Sequence, residues 1–334
     1  MLESAKFHLE GTLGRHETWV TSLATTPDAP DIMLSSSRDG TLRQWHLPDF
    51  HGQEIQPKAV LKGHTDTVSD CKLSKDGQFA VSCGWDRAMR VWYLVEGEEV
   101  HDGKTRKQCN SVAFSADNRQ IITVGGNRID LWNTLAEIKY SHEQRGYTFE
   151  SELHTDWISQ TAMVPVAIST SKDESSDSKE SKESPLQFVT VSWDHQVKLW
   201  DLKTMKLVRD YLGHEGVLLA VTVSPDASLI ATGGKEAQVR LWDRLEGTCL
   251  YTLDVEGTVN ALDFSPAHYH LAVATDVSFE VYDLELKKQI FVDRPHEPFP
   301  EAIPWATCLK YREDANRIFV GHADGIISQY ALAS

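Results

Sequence analysis

The chain has 334 residues, 41% of them hydrophobic and 25% charged, with a net charge of −16. It is long enough to bury a large core, but no apolar stretch reaches the ~20 residues of a membrane-spanning helix. The acidic balance argues against general affinity for nucleic acid. The charge is uneven: residues 1–110 hold 13 Lys and Arg against 16 Asp and Glu, so the first third is near neutral and the rest carries most of the acid. Met1 to Glu10 lack the apolar core of a secretory signal. Five scattered cysteines (Cys71, Cys83, Cys109, Cys249, Cys308), with no CxxC pair, fit a reducing compartment better than a disulfide or zinc scaffold. A cytoplasmic location is expected.

Along the chain, short apolar strands recur, each ending on an aromatic residue: Trp45, Trp92, Trp132, Trp200, Trp242, Tyr282 and Tyr330. Their spacings are 47, 40, 68, 42, 40 and 48 residues. A period near 40 identifies internal repeats, which override a two-domain reading of the length. The first unit reads Ile32-Met33-Leu34-Ser35, turn Arg38-Asp39-Gly40, then Thr41 to Trp45. Alternating polarity predicts a hairpin, and Asp-Gly supplies the positive φ expected of a two-residue turn. Ala80-Val81-Ser82, Trp85-Asp86-Arg87 and Met89 to Trp92 repeat it. With a His upstream and an acid six residues before the Trp, these are WD-type repeats. Seven of them predict an all-β, seven-bladed propeller occupying residues 1–334 as one domain.

Four units hold a complete polar set: His16, Ser35, Asp39 and Trp45; His64, Ser82, Asp86 and Trp92; His154, Thr190, Asp194 and Trp200; His214, Thr232, Glu236 and Trp242. Imidazole, hydroxyl and indole can all be satisfied around one carboxylate, which would pin the turn to the blade. Ser, His and acid also suggest a hydrolase triad, but a single active site does not require the trio in blade after blade. No GxSxG, HExxH or phosphate-binding glycine loop is present. No catalytic residue, cofactor or small-molecule substrate is expected.

Three units are degenerate. The third has Gly125-Gly126-Asn127-Arg128 in a shortened turn, without an acid. The sixth lacks the upstream His and ends in Tyr282. The seventh keeps Asp324-Gly325 but has Val320 where the hydroxyl belongs. These blades are expected to lean on apolar packing.

The 68-residue gap contains residues 169–185, rich in Ser, Lys and Glu, for which disorder is expected. It separates the first two strands of blade 4, Trp157–Val166 and Gln187–Val191. Asp173, Ser175 and Asp177 lack the glycine and final acid of a calcium loop, so no metal is expected. Thr170 and Ser171 each precede an acid by three residues, a pattern for an acid-directed kinase. The last repeat ends too early to supply its own outer strand, and Lys6 to Leu13 is expected to complete blade 7 and close the ring.

Several stretches go beyond generic repeats: Trp19-Val20-Thr21, Ser36-Ser37-Arg38-Asp39, Asp76-Gly77-Gln78-Phe79-Ala80, Phe114 to Ile121, Leu131-Trp132-Asn133-Thr134-Leu135 and Val221 to Asp226. From about Leu9 to Tyr330, in matching order, the chain resembles the receptor for activated C kinase family, which comprises Gβ-like seven-bladed scaffolds. The resemblance implies docking on the head of the small ribosomal subunit, with contacts to ribosomal RNA and proteins, and recruitment of kinases and other signalling proteins. In that family basic loops of the first blades contact the ribosome, notably an Arg-Asp-Lys turn. Arg38 and Asp39 match it, with Gly40 in place of the Lys. Lys62 and Lys107 match further basic positions, and Arg87, Lys104 and Arg106 add cations nearby. Blade 6, Val277 to Tyr282, departs from the family's basic kinase-binding strand, and Arg15-His16 replaces Gly-His.

Four tryptophans lie near loops of one face. Trp19 and Trp157 fall three residues after a blade's His, while Trp85 and Trp193 precede the turn acid. Exposed aromatics anchor partner peptides, so all four are candidate protein-binding residues. The leading expectation is a non-enzymatic, ribosome-docked scaffold. A free cytosolic adaptor is the alternative, and a G-protein β subunit would need a long N-terminal helix.

Overall fold

A computed structural model describes residues 7–47, 55–141, 153–166, 186–294 and 305–332. These form seven four-stranded antiparallel sheets. Blade 1 comprises β2 (Val20–Thr25), β3 (Ile32–Ser37), β4 (Thr41–His46) and β5 (Ala59–Lys62). Blade 2 comprises β6 (Val68–Leu73), β7 (Phe79–Gly84), β8 (Ala88–Tyr93) and β9 (Glu98–Lys104). Blade 3 comprises β10 (Ser111–Phe114), β11 (Gln120–Gly125), β12 (Arg128–Asn133) and β13 (Ile138–Ser141). Blade 4 comprises β14 (Ile158–Met163), β15 (Gln187–Ser192), β16 (Val197–Asp201) and β17 (Lys206–Tyr211). Blade 5 comprises β18 (Leu218–Val223), β19 (Leu229–Gly234), β20 (Gln238–Asp243) and β21 (Cys249–Asp254). Blade 6 comprises β22 (Val259–Phe264), β23 (His270–Thr275), β24 (Phe279–Asp283) and β25 (Lys288–Asp293).

Blade 7 is the closure. Its strands β26 (Ala306–Tyr311), β27 (Arg317–His322) and β28 (Ile327–Leu332) are completed by β1 (Phe7–Leu13), which runs antiparallel to β28 from Phe7 opposite Leu332 to Leu13 opposite Ile327. Phe7 and Leu13 point inward and are buried. Glu10 accepts hydrogen bonds from Arg317 Nε at 2.9 Å and Gln329 Nε2 at 2.6 Å. The N-terminal strand thus covers an edge that would otherwise be open to pairing with another chain.

The inner strands β2, β6, β10, β14, β18, β22 and β26 touch in that order and return to β2. A recurrent polar position stitches this inner ring. The side chains of Thr21, Ser69, Asn110, Ser159, Asn260 and Thr307 each donate to a carbonyl of the next blade's inner strand or its lead-in residue, Thr307 reaching Val20 across the seam. Leu219 occupies the seventh such position and brings no donor. Acceptors add a second tie at every other boundary between neighbouring blades: Asp70 takes the Val112 N–H, Gln160 that of Val221 and Asp263 that of Tyr311. Together the inner strands line a central cavity of about 400 Å3. The core lies between blades, where Trp45, Trp92, Trp200 and Trp242 are fully buried.

The segment 167–185, with the expected insertion and its phosphorylation pattern, lies outside the described residues but joins β14 to β15 as expected. Among the described residues no helix is long and apolar enough to cross a membrane, and no His, Cys, Asp and Glu cluster could hold a metal.

Candidate binding face of the ring

Strand direction places the loops. An inner strand starts at one end of the ring and the second strand returns to it; the third leaves it and the outer strand comes back. The turns between second and third strands therefore share a face with the loops leading into each inner strand. All the candidate cations and tryptophans fall in these loops or at the adjoining strand ends.

The four polar sets brace this face, in an order that spacing could not give. Trp45 Nε1 donates to Ser35 Oγ at 2.9 Å, Ser35 Oγ meets His16 Nε2 at 2.8 Å, and His16 Nδ1 meets Asp39 Oδ2 at 2.9 Å. The expectation of three donors around one carboxylate is corrected: the hydroxyl is the hub, and the carboxylate sits at the far end of the chain, in the turn. Blades 2 and 4 repeat the chain through Ser82–His64–Asp86 and Thr190–His154–Asp194. Blade 5 does so through Thr232–His214–Glu236. One proton arrangement satisfies every atom: indole N–H to hydroxyl oxygen, hydroxyl O–H to Nε2, and Nδ1–H to carboxylate. It requires a neutral imidazole, and burial duly holds His16 and His214 below the ordinary histidine value. Burial works against Asp39 ionising, yet hydrogen bonds from His16 and Thr41 hold its carboxyl far below the usual range. The Ser35 hydroxyl, fully buried under an indole donor, is closed to any substrate.

The turn chemistry is corrected too. In blades 1 and 2 the turn has three residues, and only the last has positive φ: Gly40 (78°) and Arg87 (62°). Gly40 N–H donates back to Ser37 O at 3.3 Å, giving a tight turn closed by one left-handed residue rather than a two-residue hairpin. The degenerate blades also differ from expectation. Blade 6 buries Glu280, which accepts from Ser278 Oγ at 2.6 Å, Tyr282 Oη at 2.5 Å and Gln289 Nε2 at 2.9 Å, a polar network of its own. In blade 7, His322 bonds Trp305 O and Ser328 Oγ, both at 2.9 Å. Blade 3 keeps only the Trp132 to Thr123 bond, at 2.8 Å.

The six cations fall into two groups. Arg38 lies in the blade 1 turn with its guanidinium 3.6 Å above the Trp19 ring, and Lys62 sits opposite Thr41 in the β4–β5 register, beside that turn. A stacked guanidinium keeps its in-plane N–H groups directed to solvent. Lys104, opposite Ala88, flanks the blade 2 turn. Arg87, Arg106 and Lys107 line one cleft with Trp85 and Trp157. All six cations are exposed.

The four tryptophans occupy two equivalent positions. Trp193 N–H donates to Trp157 O at 2.8 Å, as Arg38 N–H does to Trp19 O at 3.0 Å and Trp85 N–H to Thr67 O at 2.9 Å. In blade 4 the rings lie 6.0 Å apart, and Lys235 of the next turn stands 5.7 Å over Trp193. Trp19 is half-buried beneath Arg38, whereas Trp85, Trp157 and Trp193 are 40–41% exposed. Sequence reasoning missed Lys235, Gln108, Gly126, Asn127 and Asp156. Lys235 follows from its place in the repeat, one residue before the turn acid Glu236.

Fold and site together define a WD-repeat β-propeller. The family model described as WD domain, G-beta repeat matches residues 7–46, 55–93 and 205–243, which are blades 1, 2 and 5 together with neighbouring strands. The chain belongs to this family, sharing 38% identity over 98% of its length, and 98% of the relative's, with MST50-interacting protein 11 of Pyricularia oryzae.

Proposed function

We propose that the chain is a non-enzymatic scaffold of the receptor for activated C kinase type, docked in the cytoplasm on the head of the small ribosomal subunit. There it recruits kinases and other signalling proteins and modulates translation. The observation that carries this reading is the gathering of Arg38, Lys62, Arg87, Lys104, Arg106 and Lys107 on one face of an otherwise acidic ring. Cations on rigid turns suit phosphate oxygens, and screening within about 8 Å at physiological salt keeps the acidic blades from opposing contact. A relative named for its interaction with MST50 supports an interaction role. C-kinase binding is the least supported partner, because β24 buries Glu280 where the family has a basic strand.

A second reading, a free adaptor without ribosome contact, is favoured by Gly40, which stands where the family carries a lysine. Co-sedimentation with purified small subunits across a salt series tests the proposal. Binding that weakens steeply with salt supports it, and absence of binding at low salt favours the free adaptor.

A further inference from the structure

Blade 3 breaks the ring's regularity, and the break makes a cleft. Its central turn is only Gly126-Asn127, one residue shorter than the turns of blades 1 and 2. The turn acid and the lead-in histidine are both missing, so the indole–hydroxyl–imidazole–carboxylate chain of blades 1, 2, 4 and 5 does not form there. The lead-in loop is instead tied to blade 2: Thr105 N–H donates to Arg87 O at 2.8 Å, and Thr105 Oγ1 donates to Lys107 O at 2.7 Å. This draws Arg87, Arg106 and Lys107 together. On the far side, Ile158 N–H donates to Gly126 O at 2.6 Å and brings blade 4, with Trp157, to the same rim. Neither glycine readily takes a side chain, Gly125 for lack of space and Gly126 for its left-handed backbone. A Cβ on Gly125 would lie 2.1 Å from the Gln108 carbonyl oxygen, and Gly126 has φ +57°.

The resulting cleft holds about 580 Å3, within the ~300–1,000 Å3 of typical ligand sites. Trp85 comes from blade 2 and Trp157 from the loop into blade 4, each about two-fifths exposed. Arg87, Arg106 and Lys107 crowd the blade 2 side. Across from them stands Asp156, whose carboxylate already accepts the Trp157 N–H at 2.7 Å. The cleft therefore carries two indoles in an otherwise polar lining and is positive along one wall, in a chain of net charge −16.

We infer that this cleft binds a short acidic peptide segment carrying an aromatic or large aliphatic side chain. The apolar side chain lodges between Trp85 and Trp157, and flanking carboxylates face Arg87, Arg106 and Lys107. A local cluster of peptide acids meets only the basic wall, whereas an extended polyanion would run on over the acidic blades. The inference rests on the scaffold reading but not on ribosome docking: it separates a peptide site in the cleft from the Arg38–Lys62 contact on blade 1.

The test is an array of synthetic peptides with a central Phe, Trp or Leu and flanks randomised over Asp, Glu, Ser, Lys and Arg, probed with the intact chain. Acidic flanks should be enriched, and the best binder, labelled for anisotropy, should bind more weakly as salt rises. Trp85→Ala with Trp157→Ala should weaken it at least about tenfold, as loss of interface anchors does, while the circular dichroism of the fold is retained and melting falls only modestly through loss of the Trp157–Trp193 contact. Arg106→Glu with Lys107→Glu should shift the array toward basic flanks. Arg38→Asp with Lys62→Glu should leave peptide binding intact while lowering ribosome co-sedimentation, so the two readings fail separately. No enrichment of acidic flanks, binding that survives the double tryptophan variant, or tighter binding of single-stranded oligouridine through the same tryptophans would each overturn the inference.

Discussion

Deleting residues 1–13 removes β1 and should cost the ring most of its stability. Phe7 and Leu13 are 5% and 2% exposed, and burying two such side chains contributes about 3–6 kcal/mol. The ladder to β28 adds several backbone hydrogen bonds worth ~0.5–1.5 kcal/mol each. The Glu10–Arg317 pair, at the surface with each side chain 21% exposed, adds little. The total, about 6–10 kcal/mol, rivals the ~5–15 kcal/mol by which domains are stable. Thermal unfolding followed by circular dichroism should show melting at least roughly 10 °C lower, with aggregation through the exposed β28 edge. A synthetic peptide spanning β1 should restore part of the loss in proportion to its concentration. Melting within about 2 °C of the intact chain would refute closure by this strand.

Ser82→Ala removes the hub of the blade 2 chain and strands the Trp92 N–H and His64 Nε2 in the core; urea unfolding should show a loss of about 2–4 kcal/mol, and a loss below ~0.5 kcal/mol would deny the hub role. Stability should fall as pH drops. Burial depresses His16, His214 and His322, so below the ordinary imidazole value of about 6.5 the unfolded chain takes up protons that the folded chain refuses. Glu313, raised by burial, opposes this only above the ordinary carboxyl value of about 4.5. Below about 4, the depressed carboxyls of Asp39, Asp86, Asp194 and Glu236 continue the loss. Unfolding midpoints that rise from neutral pH to about pH 5 would contradict this. Gly40→Lys restores the family's cation: its Cβ would meet only the His64 and Asp66 carbonyl oxygens at 3.4 and 3.5 Å, but φ is +78°. It should cost about 1 kcal/mol of stability while steepening the salt dependence of ribosome binding by about one unit in the log–log slope.

The architecture was legible because propellers write their period into the sequence. Trp45, Trp92, Trp200 and Trp242 mark the same strand end, and the missing outer strand of blade 7 pointed directly to Phe7–Leu13. Membership of the polar sets was legible as well, but not their connectivity: spacing brings Ser35, His16 and Asp39 together without saying which atom lies between which. The inner-ring ties through Thr21, Ser69 and their counterparts escaped notice, because single Thr, Ser and Asn residues in apolar strands carry no motif. Blade 3's Gly125-Gly126-Asn127 read as a defect. That it opens a cleft depends on Trp85 and Trp157, distant in sequence, lining the same hollow around a shortened turn.

The central claim is that the blade 1 to 3 face docks on the small ribosomal subunit, and the most direct measurement compares the intact chain with Arg38→Asp, Lys62→Glu in co-sedimentation at low and physiological salt. Both residues are exposed and outside the polar sets, so the variant should keep the fold, losing only the Arg38 stack on Trp19, worth about 0.5–1 kcal/mol. Salt-sensitive binding of the intact chain and its loss in the variant are expected. Equal binding by both, insensitive to salt, would contradict the claim.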